Sequence, residues 1–243
     1  MSIVLRDAAR TLHPAPGDRN GPLTPLLVAL TFVSGVVDAA SYLKLGHVFV
    51  ANMTGNVVFL GFAIAGAGGL SVGSSLAALG SFLAGAFAGG FLAARNAEHR
   101  GRVLRAASAA QAGIVAIALI VALAASEPLG SGSRYALLIT LAFAMGIQNA
   151  SAQRLAIPEL TTTVLTRTLT GLASEAGILG GAGSQAGRRL VAVAAMLLGA
   201  LAGALLALEV SVAAGLALAL AVVTAAGLAI HVLSRGDPAW TRA

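Results

Sequence analysis

Long runs of Ala, Leu, Val and Gly alternate along the chain with short polar stretches. A helix needs about 20 apolar residues to cross a bilayer. Six runs have that length, at residues 25–45, 76–94, 103–125, 135–153, 190–208 and 212–233. Two further segments are mixed. Residues 48–69 carry the polar string Asn52-Met53-Thr54-Gly55-Asn56 between apolar flanks, and residues 160–181 hold six threonines with Arg167 and Glu175. Neither reads clearly as a span.

The pattern repeats. Phe32, Gly35 and Asp38 align with Phe143, Gly146 and Asn149 at an offset of 111. After one inserted residue Thr54 aligns with Thr166, and Gly55 with Arg167. Further on, Gly85 and Gly89 align with Gly199 and Gly203, in the same order.

Composition fixes the class. Of 243 residues 58% are hydrophobic and 10% charged, and the mean hydropathy is +0.90. Soluble domains carry about 25% charged residues. The expected fold is therefore all-α and polytopic in a membrane. The chain has no cysteine, which excludes disulfides, thiol catalysis and cysteine metal sites. The first apolar run is too long for a signal peptide and carries Asp38, so it is expected to be retained. The tail before it is expected to be disordered or to rest on the lipid surface.

Charge decides the topology. The net charge of +6 comes from 14 Arg and one Lys, and in this setting it records orientation rather than nucleic-acid binding. If both mixed segments cross, eight spans leave eight basic residues inside and six outside. If neither crosses, six spans leave twelve inside and two outside, which obeys the positive-inside rule far better. Three spans per half turn the second half upside down. The expectation is two inverted repeats, each with a re-entrant or broken helix, as in many transporters. The divisions are a cytoplasmic tail (1–23), a membrane repeat (24–126), an extracytoplasmic loop (127–134), a second repeat (135–234) and a cytoplasmic tail (235–243). Heavy Ala and Arg usage fits a GC-rich bacterial genome, and hence a bacterial plasma membrane.

Candidate chemistry follows from depth. Backbone within the membrane must be satisfied internally or line a cavity. Asn52 or Thr54 is expected to cap a half-helix starting near Val57, with Gly55 allowing close approach. An ordinary polar turn remains the plain alternative. Asp38 is costly in a span and so a functional candidate. It is read as a proton carrier, a cation ligand or a partner of Arg167, with a structural hydrogen-bonded role beside these. Asn149 holds the matching place without charge. The expected solute or ion pathway comprises Asp38, Asn52, Thr54, Gly55, Asn56, Asn149, Thr163, Thr166, Arg167 and Glu175. The pairs Gly85/Gly89 and Gly199/Gly203 suit close helix crossings, or a homo-oligomer contact. No phosphate loop, nucleophile elbow or metalloprotease helix occurs, so no enzyme, cofactor or metal is expected.

The stretch "GVVDAASYLKLGHVFVANMTGNVVFLG" resembles the signature of the YoaK-like bacterial membrane proteins, a family of unknown function. Gly35, Asp38, Phe49, Asn52, Thr54, Gly55 and Asn56 carry the match, and the similarity runs along nearly the whole chain. The resemblance implies a polytopic protein of about six spans and no substrate. Two functions stay open: a secondary transporter or channel-like permease for a small solute or ion, and a non-transporting accessory or lipid-binding scaffold. Partners on either reading are the lipid bilayer and an unidentified solute, with no nucleic acid.

Overall fold

A computed structural model of the chain describes residues 3–15, 17–126, 128–157, 165–174, 185–236 and 238–242. The helices are α1 (Ile3–Leu12), α2 (Leu23–Lys44), α3 (Met53–Ile64), α4 (Val72–Arg95), α5 (Arg100–Ala124), α6 (Ser131–Leu155), α7 (Leu165–Ser174), α8 (Ala186–Leu205) and α9 (Val212–Leu233). A π-helical turn, Leu206–Val210, extends α8, so that six helices are long and apolar enough to cross a membrane. They coincide with the six predicted runs, reaching a few residues further at most ends. The protein is an all-α, multi-pass membrane protein.

The ends of these helices sort to two sides. Arg100 at the start of α5 donates to the carbonyls of Arg19 and Leu155, before α2 and at the end of α6. His99 bridges to Arg242 in the C-terminal segment. Asp7 accepts from the Arg188 backbone at the start of α8. These contacts gather one arginine-rich end. At the other end Leu45, Gly46, Gly69, Ser71, Ser131 and Tyr135 line one cavity, which brings together the end of α2 and the starts of α4 and α6. The chain between α2 and α4 therefore leaves and returns on the same side. Its helix α3 has 12 residues, about 18 Å, against a hydrocarbon core of about 30 Å. It does not cross. The six-span reading of the charges fits this arrangement.

The helices α2 and α6 form the centre. In each, 67% of the most apolar stretch is buried, against 22–33% for the other four spans. The outer helices present Leu83, Phe87, Ile120, Leu123 and Leu197 outward, as lipid-facing surfaces should. Helix α2 packs along α8, and α6 along α4.

Glycines make both crossings. A Cβ on Gly35 would collide with the backbone of Met196 and Ala200, and one on Gly199 with the Phe32 carbonyl. At the other crossing a Cβ on Gly146 would collide with the backbone of Phe82 and Ala86, and one on Gly85 with the Phe143 carbonyl. Gly203 and Gly89 lie as closely against Val36 and Ile147. The absence of side chains lets the backbones meet, which is where helix association in lipid gains its packing energy. All four zipper glycines are buried within the chain. They are used up in internal crossings, which corrects the expected oligomer contact through Gly85, Gly89, Gly199 and Gly203.

The N-terminal tail is ordered, which corrects the expectation of disorder. Residues 3–12 form the amphipathic helix α1, which packs on α8 and α2. Gly187 admits the backbone of Val4 to Ala8, and the Asp7 carboxylate accepts from the Arg188 N–H at 3.0 Å. A negative group thus satisfies an orphan donor at the N-terminus of α8.

Candidate functional site

The signature around Asp38 folds into a latch. After α2 the chain turns sharply through Gly46 (φ 106°) and His47 (φ 57°), and residues 48–52 are not helical. Their backbone N–H groups need partners. One Asp38 carboxylate oxygen accepts from Val50 N at 2.8 Å and from Ala51 N at 2.7 Å. The other accepts from the Asn52 side-chain amide at 2.5 Å. The Asn56 amide accepts from Phe49 N at 2.8 Å and donates to Phe49 O at 2.6 Å. Asp38 and Asn56 are 3% and 0% exposed. A buried carboxylate is tolerable only when so fully hydrogen-bonded.

Four positions of the string Asn52–Asn56 make contacts that hold the turn, and Thr54 faces outward. Asn52 stands at the cap position of α3, but its side chain makes no cap and turns to Asp38 instead. This corrects the expected cap, and α3 starts at Met53 rather than near Val57. The Met53 sulfur lies 3.5 Å from the Asn56 amide. Thr54 is exposed. Gly55 faces the Phe49 ring, where a Cβ would stand 2.8 Å from a ring carbon. Phe49 itself stacks on Tyr42, with Phe59 against both.

In the second half Asn149 is 4% exposed, and its amide donates to Met145 O at 2.9 Å. Thr166 is exposed in α7, and Thr168, the counterpart of Asn56, is 4% exposed. Arg167 lies in α7, but its side chain is outside the described residues, as are Thr163 and Glu175. The latch residues of the first half are thus together, and they point at their own loop.

A second polar cluster lies between α2, α5 and α6. The Gln111 amide donates to the Gln148 carbonyl oxygen at 2.6 Å. The Gln148 amide donates to Ser34 Oγ at 2.9 Å and to Leu30 O at 3.2 Å. Gln111, Gln148 and Ser34 are 1%, 2% and 0% exposed. Ser108 and Ser151, one helical turn away on α5 and α6, each bury a hydroxyl that has no hydrogen-bond partner among the described residues. The α6 face runs on through Met145, Leu141 and Leu138, all buried and apolar, toward the end with fewer charges. Gln111 and Gln148 went unselected in the sequence. The signal that marks them is the one that marks Asp38, a polar group in an apolar span, without the charge.

Among the described residues, cavities lie at both ends of the bundle. One of about 310 Å³ lies at the end with fewer charges, beside Ser71, Ser74, Arg134 and Tyr135. One of about 520 Å³ lies at the arginine-rich end. Among the described residues no cluster of His, Cys, Asp or Glu has the makings of a metal site.

Comparison with known proteins agrees with the signature. The sequence profile of a family described as "Protein of unknown function (DUF1275)" matches residues 26–230. The "UPF0700 transmembrane protein YoaK" of Bacillus subtilis (strain 168) is 36% identical over 149 residues, 60% of this chain and 64% of that protein. The matched region thus spans just under two thirds of that relative's length. No solved structure matches the chain.

Proposed function

The chain belongs to the DUF1275 family of proteins of unknown function, and from that premise we propose that it is a channel-like or secondary permease for a small polar solute. The observation that carries this reading is the buried cluster of Gln111, Gln148 and Ser34, with the unpartnered hydroxyls of Ser108 and Ser151 beside it. Polar groups cost free energy inside a bilayer and tend to face a solute route. These are uncharged donors and acceptors, suited to a solute that exchanges hydrogen bonds with water for hydrogen bonds with amides and hydroxyls. Leu138, Leu141 and Met145 close the route toward the other end.

The same reading takes the two halves as an inverted repeat, for which the paired glycine contacts speak. Gly35 meets Met196 and Ala200 as Gly146 meets Phe82 and Ala86, and Gly199 meets Phe32 as Gly85 meets Phe143. Corresponding residues make corresponding contacts, and α2 and α6 run in opposite directions. In this reading the arginine-rich end is cytoplasmic, with both termini there, in a bacterial plasma membrane. Asp38, Asn52, Gly55 and Asn56 position the break before α3, with Thr54 on its outer surface. Asn149, Thr163, Thr166, Arg167 and Glu175 serve the opposite break. No catalysis and no cofactor is involved.

One observation favours the second reading, a non-transporting scaffold: the Asp38 and Asn56 side chains are satisfied by their own chain. Flux separates the two. Proteoliposomes are shrunk osmotically with a panel of small neutral solutes, and re-swelling is followed by light scattering. Wild type is expected to speed entry of at least one solute over protein-free liposomes, and Gln148→Leu to abolish that gain while keeping the thermal transition of a folded protein. Equal rates with and without protein, across the panel, would refute the permease.

A further inference from the structure

The cavity at the arginine-rich end has a composition that the solute route does not explain. It encloses about 520 Å³, within the range of small-ligand sites. Three arginines from three separate segments line it: Arg19 before α2, Arg100 at the start of α5 and Arg154 at the end of α6. Asn20 lines it as well, and no carboxylate does. Asp18, the acid nearest in sequence to Arg19, accepts from the Asn20 backbone at 2.7 Å, and Glu98 is exposed outside the lining.

The arginines differ in how they are held. Arg100 is fixed by hydrogen bonds to Arg19 O at 3.1 Å, Asn20 Oδ1 at 3.0 Å and Leu155 O at 3.2 Å. Its geometry is set before any ligand arrives. Arg19 and Arg154 have no hydrogen bond or ion pair from their side chains among the described residues, and the Asn20 side-chain amide has no acceptor there. Three like charges converge on one hollow with unused donors. Such convergence is unfavourable unless a counter-charge enters.

We infer that this cavity binds a phosphate group, with Arg100 as the fixed anchor and Arg19 and Arg154 closing on the oxygens. Planar guanidinium forks match phosphate oxygens in pairs. The phosphate has two sources with the same chemistry, the headgroup of an anionic phospholipid or a soluble phosphate ion. The location favours the headgroup. The lining sits at the ends of spanning helices, on the side with the excess of arginines, where basic pockets meet headgroups.

The test uses the full-length purified protein in nanodiscs and compares three conditions by thermal unfolding and native mass spectrometry. These are phosphatidylcholine alone, phosphatidylcholine with phosphatidylglycerol, and phosphatidylcholine with inorganic phosphate at millimolar concentration. The variants are Arg19→Gln, Arg154→Gln and their combination; Arg100 is left intact because it also ties the segments together. Phosphatidylglycerol is expected to raise Tm and to remain bound to wild type. The double variant is expected to weaken this binding about thirty-fold, two basic side chains near the surface each contributing about five- to sixfold. Stabilisation by inorganic phosphate alone, lost in the double variant, supports the phosphate site and assigns it to the soluble ion. No stabilisation by either, or stabilisation undiminished in the double variant, overturns the inference.

Discussion

At the residue scale, the signature Asp38 and Asn52–Asn56 is a set of partners for one non-helical stretch. Asp38 accepts from two backbone N–H groups and one amide, and Asn56 both accepts from and donates to Phe49. Each buried donor left unsatisfied costs about 1–3 kcal/mol. Asp38→Ala orphans two backbone donors and is expected to destabilise the protein by about 2–5 kcal/mol. Asn52→Ala, which removes a donor from a carboxylate that keeps its backbone partners, is expected to cost about 1 kcal/mol. Equilibrium unfolding in mixed micelles measures both, and equal costs would show that Asp38 does not hold the loop. The sequence revealed that Asp38 was special but not what it touches. Its partners lie 12 to 14 residues on, past a turn that only positive φ at Gly46 and His47 makes possible.

At the element scale, the spans were legible because each is a long apolar run, and apolar length is a property of contiguous sequence. Of the short helices, α3 was legible from its polar start, though it begins at Met53 rather than near Val57, and α1 was not. Helix α1 depends on the groove that Gly187 leaves for it, and Asp7 accepts from the first turn of a helix at Arg188, 181 residues later in the chain. The glycine pairs announced close crossings but not with which partner. The answer is internal: α2 on α8 and α6 on α4. Valine at Gly199 or Gly85 would drive a side chain into the backbone of Phe32 or Phe143. Each is expected to cost about 3 kcal/mol or more, beyond ordinary overpacking. Gly80→Val, where a Cβ meets nothing within 4 Å, is the control and is expected to be tolerated. The measurement is the fraction of monodisperse protein recovered after heating, and a tolerated Gly199→Val would break the crossing.

At the scale of the whole molecule, charge asymmetry led from sequence to six spans, because basic residues at one end are a global count and need no side-chain geometry. The buried amide cluster was hidden for the opposite reason. Gln111, Gln148 and Ser34 lie on three helices, and only the folded bundle brings them into contact. The central claim is that this cluster borders the solute route. The direct measurement is solute flux through Ser151→Cys proteoliposomes before and after a small water-soluble thiol reagent, in a chain that has no other cysteine. Modification beside Gln148 is expected to bring flux down to the protein-free rate. Full modification with unchanged flux would contradict the account, as would a cysteine that reacts only after unfolding.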